Sequence, residues 1–202
     1  MTAAHDDTQL KIMSSIGHVC IQWALLEHLL LGCIAAIENI KLEKTYIMFG
    51  SADVVARCGF AINLARDANL PGHFPARLDA IRKELNGGLK DRRNQVVHGV
   101  HAAADMPDAV RLTIAKWTGP RRHEVVSVMQ MYELGSRLNE LANSANAIQN
   151  EIFEWRIKML ENCRDHKQRE FSERYPKVLL GLRTQIRASI SRFRGQLGHW
   201  LD

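Results

Sequence analysis

From about Thr8 to Asn39 apolar residues recur at alternating spacings of three and four: Met13, Ile16, Cys20, Trp23, Leu30, Ile34 and Ile37, with Glu27 inside the series. That is the stripe of a packed helix. The rhythm returns later as Met131, Leu134, Leu138, Leu141, Ala145, Ile148, Ile152, Trp155 and Met159. Two long helices with narrow seams predict antiparallel packing against each other in a bundle. Two shorter helices are expected between them. One starts near Ser51, a candidate N-cap, and runs to Ala68, where Asn69-Leu70-Pro71-Gly72 breaks the chain. The next runs from about Pro75 through Leu78, Ile81 and Leu85 to His98. Gly87-Gly88 should kink or divide it, because adjacent glycines cost a helix interior about 2 kcal/mol relative to alanine. Gly99 is expected to cap its end.

After Gly99 the period changes to two. Val110 to Trp117 alternates, Thr118-Gly119-Pro120-Arg121-Arg122 turns, and Val125-Val126-Ser127-Val128 follows. That predicts a short β-hairpin. Beyond Pro176 the helical rhythm resumes with Leu179, Leu182, Ile186, Ile190, Phe193 and Leu197. The expected fold class is all-α: an antiparallel helical bundle of four to five helices, with a small β-hairpin between the third and fourth. The bundle is expected over residues 8–164, with a basic helical extension over 165–202.

Composition narrows the class without naming a function. The chain has 202 residues, 46% of them hydrophobic and 24% charged, as in ordinary globular domains. The net charge of +5 is local: 9 of 27 basic and 4 of 22 acidic residues lie from Cys163 onward, leaving 18 of each before it. The basic tail reads either as a solvated helix or as a phosphate-binding one. The start, Met1 to Asp7, is polar and acidic, without the order of a secretory signal. The most apolar stretch, Ile21 to Ile37, is interrupted by Gln22, Glu27 and His28, so no membrane span is expected. Cys20, Cys33, Cys58 and Cys163 form no CxxC and read as reduced thiols of a cytoplasmic protein.

Two polar residues break the helical pattern. Glu27 occupies a seam position, and a buried carboxylate needs a partner or must lie at the stripe's edge. On an ideal helix Arg93 falls between Val96 and Val97, facing inward. Two opposite charges facing one core predict a Glu27–Arg93 contact. Asn94 and His98, four apart, stack on the outward face. His98 lies about 140° around the helix from Arg93. The two are therefore expected not to meet unless the helix frays near Gly99 or a second copy completes the site.

The run Arg93-Asn94-Gln95-Val96-Val97-His98 is an arginine and a polar residue followed, at a helix end, by a histidine. With Gly99 and the Trp23-Ala24-Leu25-Leu26-Glu27 run, it resembles the HEPN (higher eukaryotes and prokaryotes nucleotide-binding) superfamily. The resemblance covers roughly Gln9 to Arg164. It implies metal-independent RNA cleavage, in which a ribose 2′-hydroxyl attacks the adjacent phosphate to leave a 2′,3′-cyclic phosphate. His98 would be the acid or base, Arg93 the phosphate clamp, Asn94 a positioning residue, Arg92 a candidate second phosphate contact and Glu27 the orienting partner of Arg93. It also implies a homodimer whose two motifs share a cleft, and a toxin or phage-defence role restrained by an antitoxin or other regulatory protein. No cofactor or metal is expected: His98 and His101, three apart across a helix end without nearby Cys or acidic ligands, make a poor metal site. Two alternatives stay open. One is a module that binds RNA or a nucleotide without cutting it; the other is a structural helical dimerisation or interaction protein.

Overall fold

The computed structural model describes residues 3–104, 106, 108–114 and 122–174, with backbone alone beyond Glu161. The chain divides into two units, Met1–Phe153 and Glu154–Asp202. The elements in order are α1 (Ala3–Glu38), α2 (Leu42–Phe49), α3 (Val54–Asp67), α4 (His73–Glu84), a π-helical turn (Leu85–Leu89), α5 (Lys90–His98), β1 (Val100–Ala103), β2 (Ala109–Ile114), β3 (Arg122–Ser127) and α6 (Val128–Arg174). The fold is mainly α with one small antiparallel sheet, as the pattern predicts. The expected basic extension beyond Pro176 lies outside the described residues, as does the turn 115–121.

The core is built from one face of each long helix. Its buried residues include Leu26, Leu30, Ile34 and Ile37 of α1, Cys58 and Ile62 of α3, Phe74, Leu78 and Ile81 of α4, and Leu138, Ala145, Ile148 and Ile152 of α6. The α6 seam agrees with the spacing from Met131 to Ile152. The α1 seam agrees only in its second half. Met13 is 64% exposed, and the buried positions near the start of the helix are Ser15 and Val19.

The two long helices run in the same direction, where antiparallel packing was expected. Ser14 Oγ and Tyr132 Oη lie 3.3 Å apart, His18 meets Gly135, and Gly32 meets Gln149, so contacts advance together along both chains. Gly32 and Gly135 permit this approach, since a Cβ on either would collide with the Gln149 or His18 side chain. The antiparallel neighbour of α6 is α4. Arg77 pairs with Glu151 at 2.6 Å and Arg137 with Glu84, in opposite chain order. By length and composition Asp7–Glu38 could cross a bilayer, contrary to expectation, but 56% of its most apolar window is buried inside the protein.

Two local signals differ from expectation. The N-cap of α3 is Asp53, not Ser51; its Oδ1 accepts from Val55 N at 2.8 Å and Ala56 N at 3.0 Å. The short helix α2 is unpredicted, because Thr45 is its one buried residue and Tyr46, Ile47 and Met48 face out. Gly87-Gly88 divides the third predicted helix as expected. Gly88 adopts φ +110°, a left-handed conformation open to glycine, inside the π-helical turn.

The predicted hairpin is the β2–β3 pair, with Val110 opposite Val126 and Leu112 opposite Glu124. A further strand, β1, pairs antiparallel with β2, placing His101 opposite Leu112. The alanine-rich run after Val100 carries little strand signal. Buried Val110, Leu112 and Val126 form the inner face of the sheet.

Candidate functional site

The α5 helix is short, so its side chains depend on neighbours for their positions. It starts from the π-helical turn, and Lys90 Nζ bonds Asp53 Oδ2 at 3.2 Å. It ends at Gly99, whose φ of −68° and ψ of 150° are extended rather than the left-handed geometry of a glycine cap. The Gly99 N–H still donates to the Gln95 carbonyl at 2.9 Å. His101, one residue into the sheet, donates its Nε2–H to the Val96 carbonyl at 3.0 Å. Val96 is the buried anchor of the helix.

On this helix Arg93, Asn94 and His98 come together. Arg93 Nη1 lies 3.2 Å from His98 Nε2 and 3.0 Å from Asn94 Oδ1. The predicted separation of arginine from histidine is thus overturned. A 140° offset describes where Cα–Cβ bonds leave the helix, and a long arginine stem crosses that arc. The guanidinium also rests on the Trp23 ring of α1, with Cζ 4.7 Å from the ring centroid. Trp23 is buried, so its face is a dry, fixed platform for a cation.

Arginine only donates, so as a hydrogen bond this contact has His98 Nε2 as its acceptor, which leaves Nδ1 as the ring's donor. By the same rule Asn94 turns its carbonyl oxygen to Arg93 and its amide nitrogen away. Arg93 Nε is buried without a partner. His98 is exposed, so the cluster opens to solvent at its histidine.

Two expected site residues are placed differently. Glu27 does not form the predicted ion pair with Arg93. Its Oε1 faces Arg57 Nη1 at 3.9 Å, and its side chain is 33% exposed. Arg57 is the buried cation of this region, donating to the Gly50 carbonyl at 2.7 Å and the Glu27 carbonyl at 3.4 Å. Arg92, the candidate second phosphate contact, is bound to Glu124 of β3 at 2.7 Å and to Gln95 at 3.3 Å. A phosphate there would have to displace a carboxylate. No three His, Cys, Asp or Glu side chains cluster as metal ligands among the described residues.

Trp23, Arg57, Glu124 and His101 are the participants that sequence reasoning missed. Arg57 had a usable signal: it stands among Val54, Cys58 and Ala61 on the apolar face of α3, as Glu27 does on α1. In the sequence Trp23 reads as a stripe residue and as part of the run that carries the resemblance, with nothing to mark it as a contact of Arg93. No protein-family model, curated protein or solved structure matches the chain.

Proposed function

We propose that the protein is a HEPN-like, metal-independent endoribonuclease in which His98 moves the proton and Arg93 carries the phosphate charge. The observation that carries this proposal is the 3.2 Å contact between Arg93 Nη1 and His98 Nε2. It joins an unprotonated imidazole nitrogen and a permanent cation in one exposed cluster. His98 Nε2 takes the proton of a ribose 2′-hydroxyl as that oxygen bonds to the adjacent phosphorus. Once protonated, Nε2 no longer accepts from Arg93, and the freed guanidinium N–H turns to the phosphorane oxygens. The P–O5′ bond then breaks, and the departing oxygen needs a proton from a second acid.

Among the described residues near the cluster, the other histidine, His101, is not free to be that acid, because its Nε2 proton is held by the Val96 carbonyl. A second copy whose own His98 is in the imidazolium form, its Nε2 protonated and released from Arg93, supplies that proton and completes the reaction, so the active form is a homodimer. The motif is complete in one chain except for this acid, so the dimer rests on proton balance and the family resemblance. A cytoplasmic toxin or defence effector restrained by a regulatory protein is the cellular setting proposed for it. Growth on overexpression tests this. Arrest relieved by both His98→Ala and Arg93→Ala supports the nuclease, and arrest that persists in either variant counts against it.

One observation favours a second interpretation, a helical interaction protein. Leu10, Met13 and Ile21 are 68%, 64% and 66% exposed along one side of α1. An exposed apolar row of this kind is usual for a protein-contact surface. Leu10 and Ile21 leave α1 about 140° and 160° around from Trp23, so an interface on them need not involve the Arg93–His98 cluster.

A further inference from the structure

Both hydrogen bonds of the Arg93 guanidinium stay within α5, to Asn94 and His98. Its contact to another helix is the stack on Trp23 of α1. An arginine near an exposed helix end ordinarily samples many rotamers, and hydrogen bonds to near neighbours on the same helix do little to fix it in the bundle. The ring supplies what those bonds lack. It is buried, belongs to the longest core helix of the first unit, and presents an electron-rich face to a cation.

We infer that Trp23 is a positioning residue: its ring holds the Arg93 guanidinium at the angle that delivers Nη1 to His98 Nε2. This rests on the nuclease proposal for its catalytic consequence, but not for its geometry. Trp23 touches neither substrate nor the reacting atoms. The ring's shape and quadrupole set where the cation sits, so another aromatic residue should replace it in part and an aliphatic one should not. Misplacing a catalytic group by about 1 Å costs roughly 10²-fold in rate.

The test follows the Arg93 Nε–Hε resonance in the full-length protein, with RNA cleavage measured alongside. A proton over an indole face is shielded, so this signal should lie well upfield of exposed arginines and vanish in Arg93→Lys. In Trp23→Phe part of the shielding should persist, with cleavage within a few-fold of wild type. In Trp23→Leu the signal should move to the exposed-arginine position, and kcat should fall roughly 10²-fold with KM changed far less. An Hε signal unmoved by Trp23→Leu, or cleavage that survives its displacement, overturns the inference. If Trp23→Leu does not fold, Trp23→Phe decides: loss of all shielding with full cleavage overturns the inference. If wild type leaves RNA intact while Hε responds to Trp23 as described, the nuclease proposal fails and Trp23 positions the cation of a binding site. If wild type cleaves but Hε ignores Trp23, only the positioning role falls.

Discussion

Arg93 and His98 project about 140° apart on an ideal helix, yet Arg93 Nη1 lies 3.2 Å from His98 Nε2. The guanidinium rests over the Trp23 ring, and it reaches a histidine that its backbone does not face. One chain therefore brings together the arginine and histidine that the nuclease proposal casts as clamp and base. Under that proposal a second chain adds an acid, not the missing half of the motif.

The Glu27–Arg57 pair is structural, and its loss should show in stability. Arg57 is 7% exposed and satisfies the Gly50 carbonyl as well as the Glu27 carboxylate. Arg57→Ala leaves the part-buried Gly50 carbonyl without this donor, and the part-exposed Glu27 carboxylate regains some water. The expected cost is about 2 kcal/mol, read from urea unfolding midpoints. Glu27→Gln should cost less than half as much, because it leaves both backbone carbonyl contacts in place.

The cap of α3 should give a pH signature. Asp53 is held below its ordinary carboxylate value of 3.8, chiefly by the Ala56 N–H, with Lys90 and the Val55 N–H adding to it. A folded-state value below the unfolded one stabilises fully above about 3.8 and is lost as pH falls through the lower folded value. Asp53→Ala should thus lower stability by about 1 kcal/mol at pH 7. Thermal melts of the two proteins should converge as pH falls from 3.8 through the lower folded-state value.

The two adjacent glycines should respond in opposite directions. Neither would place a Cβ against any neighbour, but Gly88 has φ +110° and Gly87 lies outside the positive range. Gly87→Ala should leave stability unchanged or raise it by about 0.5 kcal/mol, mainly by restricting the unfolded chain. Gly88→Ala should lower it by about 1–2 kcal/mol, because an L side chain strains there. Denaturant midpoints of the two variants measure both.

The buried thiols should be unreactive. Burial pushes both Cys33 and Cys58 up to about 12, and Cys33 Sγ also donates to the Ala145 carbonyl. In a Cys20→Ser, Cys163→Ser protein, a disulfide reagent at pH 8 should react only after denaturant unfolds the chain. Two thiols titrating within seconds in native buffer would contradict this packing.

The parts legible in the sequence are those set by long, regular burial. The α6 seam from Met131 to Ile152 could be read from spacing, and so could the β2–β3 alternation around Val110 and Leu112. What escaped depends on approach between elements. The direction of α1 against α6 turns on Gly32 and Gly135, whose role appears only beside Gln149 and His18. The π-helical turn resets the phase of α5 relative to α4. At the site, the Arg93, Asn94 and His98 motif could be picked out from the sequence, but the contacts of its side chains could not. A helical wheel follows Cβ directions, whereas the partners of Arg93 are set by a stem long enough to cross the helix surface.

The most direct test of the Arg93–His98 site is the chemistry of cut RNA ends in the presence of EDTA. Total RNA incubated with the purified chain should yield fragments ending in 2′,3′-cyclic phosphate, with 5′-hydroxyl ends downstream. His98→Ala and Arg93→Ala should each lower the rate by roughly 10²–10⁴-fold while remaining folded. Cleavage undiminished in either folded variant, or RNA left intact by the wild-type dimer, would contradict the account.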